Sequence, residues 1–259
     1  MDRFPLSEYD ILGYMAPGVV LLVGVEAILT ENKPFITFPG SQPGGFFDLV
    51  LTLLVSFLVG QMIAGIASFL YEDILVKRGL KSPNINLFAT EKKRSLFPGY
   101  FRALPDITRN EILDKAFCEI KENILDTAKA NSFQEAVESF KRICAGESPK
   151  KEDKAKAKEV GETLFEHAFA KVKQDKDKME RLNIFLKLYG FCRNGSLACL
   201  LLFGFILARH LMCISQGRGE YHAAWVLLIC AVILFYRYLR FYRHYSWDMF
   251  LAYKESCEF

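Results

Sequence analysis

Residues 46–70 read FFDLVLTLLVSFLVGQMIAGIASFL. Asp48 and Gln61 are the strongly polar side chains here, and the run is too long and apolar for a soluble core helix. A bilayer core takes about 20 apolar residues in helical form, because each backbone N–H and C=O must find its partner within the segment. The stretch therefore predicts a transmembrane helix. Thr52, Ser56, Gly60, Ala64 and Ser68 recur at every fourth position and share one face of it. Small side chains in such a stripe let another helix approach closely in lipid, so these five are candidates for helix packing or oligomer contact.

Working outward, residues 11–30 form a first span of Gly, Ala, Val and Leu interrupted by Pro17 and Glu26. Ser7 and Asp10 make a capping pattern before it. The acidic MDRFPLSEYD opening lacks the basic region of a signal peptide, so the run is expected to stay on the chain. A loop rich in Pro and Gly, residues 31–45, joins the two spans. Residues 71–187 are polar and charge-dense. KRGLKSPNINLF and EKKRSLFPGY read as an irregular basic segment. Three amphipathic helices follow, opened by Thr108 with Glu111, by Ser132 with Glu135, and by the lysine-rich run from Lys150. Spans three and four fall at about residues 194–212 and 222–238, and 239–259 form a basic-aromatic tail.

These elements predict an all-α membrane protein with four transmembrane helices. Residues 1–70 and 188–238 are two hairpins, with a small helical domain, residues 71–187, inserted between them. Lys33 and Arg218 are the basic residues of the two short loops, whereas the middle domain and tail are rich in Lys and Arg. The positive-inside rule then puts both termini and the middle domain in the cytoplasm. The 259 residues are 51% hydrophobic and 24% charged with a net charge of +3; these averages hide a mosaic of apolar blocks around a polar middle. Lys and Arg alternate with Asp and Glu, which gives no reason to expect a nucleic-acid partner. Seven cysteines lie without CxxC or Cys/His spacing, so they are expected to be structural thiols and no metal is expected.

Within the spans, Glu26 lies about four residues from the outer end of span one, and Arg209 and His210 about as far from the outer end of span three. A charge in lipid is costly and finds a partner, so Glu26 is expected to pair with Arg209 or His210. An ion pathway is the functional alternative, but transport usually needs more intramembrane polar groups. Gln61, deep in span two, can hydrogen-bond across a helix interface, either within the four-helix unit or between copies. Arg237, Arg240, Arg243 and Trp247 follow span four directly, where basic and aromatic side chains suit anionic headgroups.

No catalytic pattern emerges. His167, His210, His222 and His244 make no HExxH, no phosphate loop is present, and Glu162, Glu166 and His167 read as a charged solvent face. No enzyme activity and no cofactor are expected.

SEYDILGYMAPG (7–18), LYGFCRNGSLACLLLFGF (188–205) and YRYLRFYRHYSWDMF (236–250) together resemble a loose family of uncharacterised bacterial polytopic inner-membrane proteins. That family opens on Y-D-x-x-G-Y-x-x-P-G, matched by Tyr9, Asp10, Gly13, Tyr14, Pro17 and Gly18, and closes on an R-F-x-R-x-Y-type tail, matched around Arg240 to Tyr245. The resemblance implies the bacterial inner membrane and, because such proteins often lie near phage-defence genes, an effector role. The expectation is a non-enzymatic effector that oligomerises and perturbs the bilayer when a cytoplasmic protein or small ligand triggers it. The alternative is a membrane-anchored scaffold whose helical domain recruits a soluble partner; a small transporter is the weakest of the three.

Overall fold

The computed structural model describes residues 10–29, 45–80, 83–88, 100–122, 127–144, 151–212 and 218–256. Among them the fold is all-helical, with no strand. Helix α1 is Ile11–Leu29, π-helical over Ile11–Met15 and α-helical from Ala16. Helix α2 is Gly45–Ala67 and continues as a π-helical segment, Ser68–Leu80. Helices α3 (Pro83–Asn86), α4 (Asp106–Glu122), α5 (Thr127–Cys144) and α6 (Lys151–Val172) follow, then the long α7 (Lys176–Leu211) and α8 (Arg218–Glu255).

Among the described residues, four helices are long and apolar enough to cross a membrane: α1, α2 with its continuation, α7 and α8. Of the most apolar stretch of each, half is buried within the protein for the third, but 17–22% for the others. The third span is thus the most buried of the four.

The chain divides into two compact units. Met1–Gly79 with Leu186–Leu239 form the first, and Leu80–Phe185 with Arg240–Phe259 the second. In the second unit, Val137 and Phe140 of α5, Leu113 and Phe117 of α4, and Leu164, Ala168 and Val172 of α6 bury the apolar faces that the periodicity predicts, and Ile112 and Ala116 join them. Met249, Phe250 and Tyr253 from the end of α8 complete this core, and the Phe88 ring meets Phe250 edge-on at 4.9 Å. The sequence predicts a separate tail over residues 239–259; Met249, Phe250 and Tyr253 lie fully buried here because the aromatics fill space between helices.

Several boundaries differ from the sequence expectation. Helix α4 begins at Asp106 rather than Thr108, directly after Pro105, and Asp106 pairs with Arg109 one turn on at 2.8 Å. Helix α5 begins at Thr127, which leaves Ser132 inside it. Helix α2 does not stop at Leu70 but runs ten residues further, through the π-helical turn, to Leu80. The Ser7 cap lies outside the described residues, and Asp10 makes no side-chain cap bond.

Candidate functional site

The first unit holds a connected set of polar contacts, and it begins with a proline. Pro17 has no N–H, so the carbonyl four residues back, Gly13, loses its α-helical donor. The chain widens to π-helix there, with the Ala16 N–H donating to the Ile11 carbonyl. Asn194 of α7, fully buried, donates through Nδ2 to the Gly13 carbonyl at 2.7 Å. An unbonded carbonyl in hydrocarbon costs several kcal/mol, and a neighbouring helix is the usual source of a replacement donor. Pro17 creates the need and Asn194 meets it.

Arg193, next to Asn194, donates through Nε to Asn194 Oδ1 at 3.1 Å and through a terminal nitrogen to Glu72 Oε1 of α2. The Tyr189 hydroxyl donates to the same carboxylate oxygen, and the Arg193 guanidinium lies 5.4 Å from the centre of the Tyr189 ring. One turn on, Ser196 Oγ donates to the Ala231 carbonyl of α8 at 2.9 Å. Its single proton is committed there, so the Tyr71 hydroxyl is the donor in the 3.1 Å bond between Tyr71 and Ser196. Every residue from Cys192 to Cys199 is buried. A helix buried all round its circumference lies at the centre of a bundle, and polar groups there are kept away from lipid.

At the other end of α1, Arg209 donates to the Ile28 carbonyl. The last carbonyls of a helix have no donor of their own, and a basic side chain is a natural partner. Arg209 therefore reaches the turn that contains Glu26, which is half-buried. His210 meets the Tyr221 ring edge-on at 5.7 Å.

The stripe on α2 lies mostly inside the unit. Ser56, Gly60 and Ala64 are buried, while Thr52 and Ser68 are half-buried. A side chain at Gly60 would collide with the Tyr14 backbone, and one at Gly18 with the Ser56 carbonyl. Gly13, Tyr14 and Gly18 of the opening motif thus each stand at a packing or hydrogen-bonding contact, and Pro17 is buried. Gln61 is exposed on another face of the helix. Arg237 and Arg240 are exposed on α8. Arg243, in the second unit, is buried instead, donates to the Arg102 carbonyl through two nitrogens at 3.0 and 2.8 Å, and lies 4.8 Å from the Trp247 ring centre. Trp247 packs against the core of that unit.

The second unit carries a smaller cluster. Glu119 Oε2 is 2.8 Å from His167 Nε2, accepts from the Tyr253 hydroxyl at 3.1 Å, and lies 3.8 Å from Lys171 Nζ. Burial by itself would raise the Glu119 carboxyl, but the hydrogen bonds of His167 and Tyr253 and the Lys171 charge outweigh it and hold it below its ordinary value. His167 therefore does not belong to the solvent face with Glu162 and Glu166, which are exposed. Among the described residues, no three His, Cys, Asp or Glu side chains are placed to hold a metal ion. Cys118, Cys192, Cys199 and Cys230 are free thiols.

Glu72, Arg193 and Asn194 are not among the polar residues that the sequence singles out. They stand near the expected span ends, where charged residues are ordinary. The legible signal was Pro17, whose missing N–H calls for a side-chain donor, together with the R-N-x-S run at the start of an apolar helix. Comparison with known proteins gives no match: no family model, no curated protein and no solved structure is similar to this chain.

Proposed function

We propose that the chain is a non-enzymatic, multi-pass protein of the bacterial inner membrane that anchors a helical recruitment domain. That domain, inserted between two transmembrane hairpins, lies in the cytoplasm and binds a soluble partner there. The observation that carries this reading is the way the spans use their polar groups on one another. Asn194 serves Gly13, Arg193 serves Glu72, and Tyr71 and Ser196 serve Ala231. A bundle whose strongest polar side chains are held by its own helices suits a fixed anchor better than a solute pathway. Reporter fusions at residues 38, 150, 216 and 259 test the threading: 150 and 259 are expected inside, 38 and 216 outside. Any other pattern removes the cytoplasmic recruitment domain.

The oligomerising effector is the second reading, favoured by one observation: Gln61 is a polar side chain exposed in the middle of an apolar helix. Dye entry and membrane potential on overexpression separate the two. The anchor leaves both unchanged; an active leak depolarises the cells.

A further inference from the structure

Helix α2 has two faces. The inner one, through Ser56, Gly60 and Ala64, is occupied by the chain itself. The outer one, Leu54, Leu58, Gln61 and Gly65, lies on roughly the opposite side at 100° per residue. All four are exposed, and a side chain added at Gly65 would meet nothing within 4 Å. Their spacing of four, three and four residues is that of a seam between two helices of left-handed crossing. Gln61 is about 5 Å of helix rise from the midpoint of the 46–70 stretch, too deep for a side chain to reach either headgroup layer. Among the described residues it makes no side-chain hydrogen bond.

We propose that this outer face of α2 is the contact between two copies of the chain, with Gln61 facing Gln61 across a two-fold axis and Gly65 allowing the backbones to approach. The occupant is argued from chemistry. A carboxamide carries both donors and an acceptor, so it is complementary to itself, and a two-fold contact sets like residues against each other. Lipid tails offer neither donor nor acceptor. A second copy always supplies both at the same depth. The proposal rests on α2 crossing the membrane, and it stands whether or not the assembly makes the bilayer leaky.

The test is stepwise photobleaching of the full chain, carrying a C-terminal fluorescent protein, in liposomes at several protein-to-lipid ratios. Resistance to alkaline extraction is checked first, so failure to integrate counts against the membrane reading and is not confused with failure to pair. Two-step bleaching is expected for the wild type. Gln61→Leu should weaken pairing by roughly tenfold. Gly65→Ile should weaken it at least as much. Gln61→Asn, which keeps the amide, should retain part of it, and Ile233→Leu on α8 should change nothing. Thermal unfolding midpoints within error of wild type establish that the variants fold. One-step bleaching of the wild type at every ratio, or two-step bleaching unaffected by both Gln61→Leu and Gly65→Ile, overturns the proposal.

Discussion

Asn194 shows how one side chain can be dictated by another far away in sequence. Removing it by Asn194→Leu leaves the Gly13 carbonyl without its donor, and this is expected to cost about 1–3 kcal/mol, read as a lower unfolding midpoint in lipid nanodiscs. The Arg193–Glu72 pair is a stronger case, because the Arg193 side chain is 9% exposed. Arg193→Met alone strands a carboxylate, and Glu72→Gln alone strands a guanidinium. Each single change is expected to destabilise by about 3–5 kcal/mol, with the double change costing clearly less than the sum. Glu119 sets a pH dependence in the second unit. Its folded carboxyl is held below the ordinary value near 4.5, so its stabilising contribution is complete above that value and lost as pH falls through the depressed one. Denaturation midpoints of the wild type should fall in that acid window, and Glu119→Gln should flatten the slope.

Between elements, close approach of backbones governs the packing of α1 on α2. Gly18 and Gly60 face backbone atoms, which cannot rotate aside as a side chain can. Gly18→Ala and Gly60→Ala are each expected to destabilise by about 1–3 kcal/mol through overpacking. Gly65→Ala meets nothing of its own chain within 4 Å, so in the dissociated single chain it is expected to be neutral or to gain up to about 1 kcal/mol of helix propensity. Comparing the three unfolding midpoints checks the assignment. The period of four along α2 was legible in the sequence, but its occupant was not. A smooth stripe suits a helix of the same chain and a helix of a second copy equally well, and Gly18 of α1 decides between them at Ser56 and Gly60.

For the molecule as a whole, the two units draw on different physics. The helical unit rests on burial of aromatic and aliphatic side chains from water, so Phe140→Ala, at a fully buried position, should destabilise it by about 3–5 kcal/mol in chemical denaturation. In the bundle of spans, lipid removes most of that driving force, and close packing with hydrogen bonding takes over. The four apolar helices could be read from the chain's order of residues alone, since hydrocarbon thickness fixes span length, and so could the inward faces of α4 to α6, since helical periodicity fixes which residues align. It took the packing of distant segments to make span three the most buried, to bring Met249, Phe250 and Tyr253 into a core, and to bury Arg243 on the Arg102 carbonyl. The physical reason is locality: length and period are properties of one helix, whereas the partner of a carbonyl, a guanidinium or a glycine face lies on another segment of the chain, 38 residues away for Gly18 and Ser56 and 181 for Gly13 and Asn194.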